Sequence, residues 1–326
     1  MKKFGKFVLV IINISLMALP FMPEYWVISP VFQSIPFTIY ISLSILSITS
    51  ILIFLEWKVF VLILGIQLSG FTYILHPYLN SFSLSDSHEN QEVLSITTWN
   101  TLYWDQGEDA SDFEKQLSAL PADVLLLQEY IHWDREAKNI IQLDNNPNLK
   151  DCCNYKNVWS KGELVTASNL DGIQIDVDNP FILAVEFQIH SQKLIILNVH
   201  VPVHLDVQNS IFHSNFWNFI RERIGSRKKT FSSIKSILLR EPIVIIGGDF
   251  NSTMLMSSMR DSVFSLTDFN ILSMFEGSYP ANGSLPNWWR LDHLLSKNVK
   301  KSHCVVKPQT LFNSDHMPIN CVFSLM

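Results

Sequence analysis

The chain has 326 residues, with 24 Lys and Arg against 30 Asp and Glu, a formal net charge of −6 and a hydrophobic fraction of 48%. Charged side chains are scarce in residues 1–80, whereas Asp and Glu outnumber Lys and Arg in residues 93–326. This acidic balance argues against a broad basic groove for polyanions, so the composition disfavours a dedicated nucleic-acid-binding protein.

Three apolar runs fill the first eighty residues: Phe7–Leu19, Val31–Leu55 and Val59–Leu79. The second and third contain no charged residue, and each is long enough to cross a hydrocarbon core of about 30 Å. The first follows a basic start and has no small-residue cleavage site after it. We therefore predict three transmembrane helices. The alternative is a cleaved signal peptide followed by a two-span hairpin.

The basic residues of this region predict its orientation. They would all lie on one side of the membrane: Lys2, Lys3, Lys6 and Lys58. By the positive-inside rule the amino terminus is cytoplasmic, and three crossings place the rest of the chain outside the cytoplasm. A polar stretch follows the third run and is typical of a linker. The predicted organisation is a membrane anchor at 1–80, a linker at 81–92 and a globular domain at 93–326.

Short β-rich runs of the globular part end in polar residues. The runs are Leu94–Trp99, Asp123–Leu127, Lys193–Val199, Pro242–Ile246, Arg290–Leu295 and Asn320–Leu325. Nearly continuous apolar runs are typical of strands buried on both faces. Helical patterns lie between them at 112–120 and 214–239. We therefore predict a mixed α/β domain with sheets covered by helices.

Each polar residue at these strand ends has an ordinary structural explanation when taken alone. Glu129 could be a solvated loop residue, His200 a hydrogen-bonded structural histidine, and Asp249 a turn residue. Together they could converge on one site at the edge of a sheet. Carboxylate and amide oxygens are the ligands of hard cations. Hydrolysis of a phosphate ester needs such a metal, a base for water and an acid for the leaving oxygen.

Six motifs carry a resemblance to a known family. In chain order they are TWN (98–100), LLLQE (125–129), NVHVP (198–202), GGDFN (247–251), WRLDHLL (289–295) and SDHMPI (314–319). In this order they resemble the endonuclease/exonuclease/phosphatase, or deoxyribonuclease-I-like, superfamily. The resemblance implies a four-layered α/β sandwich, with two packed β-sheets flanked by helices, and dependence on Mg²⁺ or Mn²⁺.

The resemblance also implies roles for single residues. Three would lie at the metal: Asn100, Glu129 and Asp315. Five would be catalytic: His200, Asp249, Asn251, Asp292 and His316. Among these, Asp292 would position the ring of His316, and either Asp249 or His316 would take the proton from water. His293 is interpreted as structural.

The remaining sequence leaves the substrate open. Leu102 stands where some family nucleases have an acidic residue, and the stretch after His200 lacks the asparagine–glycine pattern of the abasic-site nucleases. The basic run Arg221–Lys229 is typical of a solvated helix face. We expect a phosphate-ester substrate, contact with a lipid bilayer, and no protein partner. The alternatives are a surface nuclease acting on DNA or RNA and a non-catalytic, membrane-tethered binding domain.

Overall fold

The computed structural model describes residues 8, 11–16, 18–23, 26–54, 61, 64–65, 67–69, 72, 93–104, 110–120, 122–132, 150–154, 161–167, 172–189, 192–206, 208–253, 255–263, 276–281, 286–307 and 313–324. The predicted linker at 81–92 and most of the third apolar run lie outside the described residues.

Within these residues the strands form two mixed sheets. Sheet A has the order β10-β11-β1-β2-β4-β3 and sheet B the order β5-β6-β7-β8-β9. The strands of sheet A are β1 (Val93–Asn100), β2 (Val124–His132), β3 (Lys150–Asn154), β4 (Lys161–Ala167), β10 (Lys300–Val306) and β11 (Ile319–Ser324). The strands of sheet B are β5 (Gly172–Ile175), β6 (Ile182–Ile189), β7 (Gln192–His200), β8 (Val244–Asp249) and β9 (Asp292–Lys297).

The helices flank these sheets. A 3-10 helix at Leu19–Phe21 precedes α1 (Ser29–Gln33), α2 (Phe37–Phe54), α3 (Ala110–Ser118), α4 (Ser214–Arg240) and α5 (Ser257–Val263). His213 precedes helix α4, and its ring accepts a hydrogen bond from Asn215 N and so caps the first turn. Most of the predicted strand and helix positions are confirmed to within a few residues.

Three apolar clusters hold the layers together. The cluster between the two sheets includes Ile96, Leu126, Val185, Ile196, Ile245 and Phe323. A second cluster joins the outer face of sheet B to α4 and α5, and includes Ile195, Leu197, Phe231, Ile234 and Met259. A third joins sheet A to α3, and includes Trp99, Phe113, Leu117 and Leu127. Both faces of the central strands are therefore buried, which explains their continuous apolar sequences. The predicted sandwich of two packed sheets flanked by helices is confirmed.

The second apolar run differs from its prediction. Val31–Leu55 is interrupted between α1 and α2, because Pro36 supplies no backbone N–H and disfavours a helical conformation for the residue before it. Within the part of the chain that the structure describes, no helix is both long and apolar enough to cross a membrane.

The helices of the amino-terminal region bury several of their polar side chains. Ser44 and Ser47 of α2 are buried, whereas Ile45 and Leu46 between them are exposed. Asn13 is fully buried, and its Oδ1 accepts hydrogen bonds from the Ser47 hydroxyl and, at 3.3 Å, from Gln67 Nε2. Further exposed apolar side chains of this region are Ile11, Ile12, Ile14, Val61 and Leu68. The hydroxyl side chains of Ser42, Thr49, Ser69 and Thr72 are exposed as well. Buried amide side chains beside exposed aliphatic ones are the inverse of the usual pattern in a helix packed on a protein in water.

The amino-terminal region is also attached to the sandwich. Leu19 and Tyr40 belong to the cluster on sheet B. Thr253 Oγ1 donates a hydrogen bond to Gln33 O at 2.6 Å, and Trp289 Nε1 donates one to Ser34 O at 2.8 Å. We call this contact, formed by Gln33, Ser34, His204, Thr253 and Trp289, the junction.

The strands β10 and β11 are linked covalently. Cys304 lies opposite Cys321 in the register of these strands, and the two residues form a disulfide with a Cα–Cα distance of 4.1 Å. The pairing is possible because β10 and β11 are neighbours in sheet A.

Candidate functional site

The polar strand ends meet at one edge of the sandwich. Strand β7 runs parallel to β8 and places His200 opposite Asp249, while β8 runs antiparallel to β9 and places Asp249 opposite Asp292. Side chains at paired positions point to the same face of a sheet. The three side chains therefore form a row across sheet B. Strand β1 brings Asn100 to the same edge from sheet A, where its Nδ2 donates to Asp249 Oδ2 at 3.2 Å.

Asp249 is buried at the centre of this row. Its Oδ1 accepts a hydrogen bond from Asn251 N at 2.8 Å, and its Oδ2 accepts from Asn251 Nδ2 and Asn100 Nδ2, both at 3.2 Å. Burial raises the pKa of Asp249 to about 7, and the charge of Asp292 acts in the same direction, against the opposing effect of His316. A carboxyl group with this pKa can exchange a proton near neutral pH.

His316 and Asp292 form a buried pair. His316 Nδ1 donates to Asp292 Oδ2 at 2.8 Å, and Nε2 lies 3.8 Å from Asp249 Oδ2. Burial opposes a positive charge on the ring, but Asp292 and Asp249 together outweigh it and raise the pKa of His316 to about 10. Asp292 thus fixes the orientation of the ring and directs Nε2 toward the centre of the site.

Glu129 reaches the site from sheet A through an irregularity of β2. The register of β2 with β4 shifts between Leu127 and Ile131, and Glu129 has a positive φ of 49°. Such bulges redirect a side chain. Glu129 Oε1 lies 3.4 Å from His200 Nε2. His200 is buried and lies 4.0 Å from Asp249 Oδ2, so it bridges the two carboxylates.

Two loops complete the site. Asn251 follows β8 with a positive φ of 44°, and its Nδ2 also donates to Val201 O at 2.9 Å. Asp315 precedes His316, and its Oδ1 lies 4.0 Å from His316 Nε2. Burial raises the pKa of Asp315. The structure therefore brings every predicted site residue to one edge of the sandwich. His293 instead faces the neighbouring apolar layer, where its ring contacts Phe250 and its Nε2 lies 3.3 Å from Ser252 O.

The donor set fits a divalent cation. One ligand atom each from Asp249, Asp292 and His316 lies within 4.8 Å of the others. Among the described residues, Asp292 Oδ1 and Asp315 Oδ1 are buried oxygens without a hydrogen-bond donor. A buried carboxylate oxygen is costly unless it is paired or binds a metal. The closest geometric group differs from the predicted metal set of Asn100, Glu129 and Asp315, because the sequence does not give the distances between these side chains.

Several supporting residues were not singled out from the sequence. Gln128 Nε2 donates to Asn198 Oδ1 at 2.5 Å, and Asn198 Nδ2 donates to Leu127 O at 2.9 Å, which ties the two sheets together beneath the site. Ser314 Oγ donates to Asn100 O at 2.6 Å, and Tyr279 packs its ring 5.0 Å from that of His316. Gln128, Asn198 and Ser314 lie within the six motifs, so the sequence indicates their proximity to the site. Tyr279 lies outside these motifs.

A family model and several solved structures are similar to this chain. The model of the endonuclease/exonuclease/phosphatase family matches residues 97–316. Among solved structures, a Bacteroides vulgatus endonuclease/exonuclease/phosphatase is 11% identical, with a TM-score of 0.51 over 72% of this chain and 100% of that chain. Truncated TDP2 of Caenorhabditis elegans is 20% identical, with a TM-score of 0.48 over 72% of this chain and 98% of that chain.

The 3′ phosphatase NExo from Neisseria, solved with a product DNA hairpin, is 14% identical, with a TM-score of 0.48 over 70% of this chain and 98% of that chain. A comparison with curated protein sequences finds no match. The family model covers more than half of the chain and spans the motifs from Asn100 to His316. The chain therefore belongs to the endonuclease/exonuclease/phosphatase family.

Proposed function

We propose that the protein is a divalent-metal-dependent phosphoesterase that hydrolyses a phosphate ester by in-line attack of water. The observation that carries this proposal is the buried row of His200, Asp249 and Asp292 with the ring of His316 fixed over it. Such a row supplies a proton acceptor, a proton donor and contacts for an anionic phosphate within one site.

We assign the metal to Asn100, Glu129 and Asp315, the residues that the family resemblance implies. Both oxygens of Asp249 accept hydrogen bonds, and Asp292 Oδ2 is held by His316. Glu129 and Asp315 supply carboxylate oxygens and Asn100 an amide oxygen, and these are the hard ligands that Mg²⁺ or Mn²⁺ prefers. A bound cation there would neutralise the phosphate charge and stabilise the developing charge on oxygen.

Side chains of the protein carry out the proton transfers. Asp249, with its raised pKa, accepts the proton of the attacking water, and Asn251 holds the carboxylate in place through its backbone N–H. His316 is protonated near neutral pH and can donate from Nε2 or stabilise the phosphate charge. His200, buried between Glu129 and Asp249, contacts the phosphate or assists the leaving oxygen.

The test is hydrolysis of bis-p-nitrophenyl phosphate by the purified full-length protein with Mg²⁺ or Mn²⁺. Glu129→Ala, Asp249→Ala and His316→Ala should each nearly abolish turnover, since a general acid or base typically contributes about 100- to 10,000-fold. The matched control is Asp178→Ala, because this carboxylate is fully exposed and lies 3.4 Å from Lys229 Nζ on the surface. Full activity of His316→Ala would contradict the proposal.

Two competing functions make different predictions. A surface nuclease would degrade plasmid DNA faster than any small diester, which the acidic balance of residues 93–326 disfavours. A non-catalytic, membrane-tethered binding domain would turn over no substrate. The complete set of site residues argues against that second alternative, because a binding domain would not require each of these groups.

We further propose that residues 1–80 anchor the protein in a membrane by three helices. In this proposal a linker at 81–92 joins the anchor to the domain at 93–326. The amino terminus is then cytoplasmic, and the domain lies outside the cytoplasm. The inward-facing polar side chains around Asn13 support an apolar surrounding, because polar groups in membranes face the helix bundle. The Cys304–Cys321 disulfide supports an oxidising compartment. A topology reporter fused after Asn90 should be active outside the cytoplasm, and a cytoplasmic signal there would refute the arrangement.

A further inference from the structure

The junction joins the amino-terminal region to the loops that carry the site. Thr253 lies two residues beyond Asn251 and donates to Gln33 O. His204 lies four residues beyond His200, and its Nε2 is hydrogen-bonded to Ser34 Oγ at 2.5 Å. The helices before residue 54 are therefore fixed beside the site by direct contacts, in addition to any tether through the predicted linker.

The junction lies close to the reacting groups. The ring of His316 is 5.0 Å from the ring of Tyr279, which is 6.4 Å from the ring of Trp289. Trp289 Nε1 then donates to Ser34 O at 2.8 Å. Three consecutive contacts thus lead from the candidate acid to the turn that separates α1 from α2.

Three apolar side chains beside the junction are exposed. Phe32, Val203 and Trp288 are each the chain neighbour of a junction residue, and their exposed fractions are 43%, 41% and 43%. We call these three residues the rim. Ile211 and Phe212, in the loop that follows Val203, are exposed as well. Clusters of exposed apolar side chains, as opposed to scattered ones, are typical of surfaces that contact a protein or a lipid layer.

The rim is joined through α1 to the uncharged helix α2. Helix α1 buries Ser29 and Gln33 while it exposes Phe32, and α2, which begins at Phe37, contains no charged residue and exposes Leu43, Ile45 and Leu46. A protein partner in water would leave such a surface incompletely covered. A lipid layer covers the rim and α2 at once, and aromatic side chains such as Trp288 favour its interface.

We infer that the rim is a lipid-contact surface and that the site acts on phosphate esters whose hydrocarbon part remains in the lipid layer. This inference rests on the proposed phosphoesterase function and names its substrate class. The rim holds the site at the depth of the headgroups, so the phosphate of an amphiphilic ester reaches Asp249 and His316 without leaving the layer. Soluble polymeric substrates have no such access.

The contact is tested by photo-crosslinking of the full-length protein in phospholipid vesicles. Benzoylphenylalanine in place of Val203 or Trp288 should form phospholipid adducts, detected by mass. The matched control positions are Ile173 on the edge strand β5 and Leu239 at the carboxyl end of α4, which are 70% and 79% exposed and should form none. Adducts to protein or nucleic acid alone, no adduct at the rim, or equal adducts at the control positions would overturn the inference.

The substrate class is tested by phosphorus-31 NMR on vesicles of phosphatidylglycerol, phosphatidylethanolamine and phosphatidic acid. The wild-type protein should convert at least one of these lipids. The paired change Val203→Ser and Trp288→Ser should lower the rate on vesicles, relative to that on bis-p-nitrophenyl phosphate, by about tenfold, since interfacial binding scales with buried apolar area. Ile173→Ser with Leu239→Ser should leave this ratio unchanged.

The outcomes separate the two levels of the proposal. Hydrolysis of bis-p-nitrophenyl phosphate without turnover of any lipid would overturn the inference and leave the phosphoesterase function standing. Equal ratios for the rim and control variants would do the same. Absence of hydrolysis of every substrate would instead contradict the proposed function, whereas the crosslinking result would still report on the lipid contact.

Discussion

The pair of His316 and Asp292 supports a sharp prediction about Asp292→Asn. Asp292 is fully buried, and its Oδ2 receives the His316 Nδ1 proton at 2.8 Å. An asparagine of the same size keeps the packing but removes the charge that favours the protonated ring. We expect kcat to fall about 100- to 10,000-fold, which corresponds to about 3 to 5 kcal/mol of activation free energy, while KM changes little.

The pH dependence separates this electrostatic role from a structural one. The pKa of His316 is raised to about 10, so activity that requires the protonated ring is lost only as the pH rises through that value. In Asp292→Asn the pKa should move back toward the ordinary histidine value, and the alkaline limb of kcat should move to lower pH. The assay is hydrolysis of bis-p-nitrophenyl phosphate across this range, with Asp178→Asn as the exposed control. An unchanged alkaline limb with nearly full activity would refute this role of Asp292.

Further predictions concern stability. Gly248 has a φ of 149°, and a Cβ there would lie 1.8 Å from Val199 O, so Gly248→Ala should lower the melting temperature strongly. At Gly225 on α4 an added Cβ meets nothing within 4 Å, so Gly225→Ala should raise the free energy of unfolding by about 0.5 to 1 kcal/mol. Equal melting temperatures of Gly248→Ala and Gly225→Ala would refute this difference between the two glycines. Burial and the nearby Arg227 hold the pKa of His204 in the folded protein well below 6.5. As the pH falls, the unfolded chain therefore takes up a proton at this residue before the folded protein does. The free energy of unfolding should fall as the pH drops below about 6.5. His204→Asn should reduce this loss of stability at low pH. The same pH dependence of the melting temperature in His204→Asn and the wild type would contradict the role of His204.

The sequence predicted the elements that carry short-range signals. The apolar runs that end at Asn100, His200 and Asp249 are strands because both of their faces are buried, and they follow the periodicity expected of such strands. The motif order then identified the family, and the site residues it implied lie together at one edge. These features depend on local patterns and on residues at fixed positions within motifs.

Other features depend on contacts between distant residues and could not be predicted. The hydrogen bond from Gln128 Nε2 to Asn198 Oδ1 joins the two sheets across 70 positions of the chain, and the hydrogen bond from Trp289 Nε1 to Ser34 O spans 255 positions. The positive φ of Glu129 arises from a register shift against β4, which the sequence of β2 does not encode alone. The break in the second apolar run coincides with Pro36, whereas the length of the run alone favours one continuous helix.

Metal titration of the protein tests the proposed chemistry most directly. The full-length protein is stripped with EDTA, and initial rates of bis-p-nitrophenyl phosphate hydrolysis are measured as Mg²⁺ is added back, in parallel with Asp249→Asn. The site described above predicts no turnover without metal, saturable recovery for the wild type and no recovery for Asp249→Asn. Turnover that persists in EDTA, or recovery of Asp249→Asn to the wild-type rate, would contradict metal-dependent hydrolysis at this site.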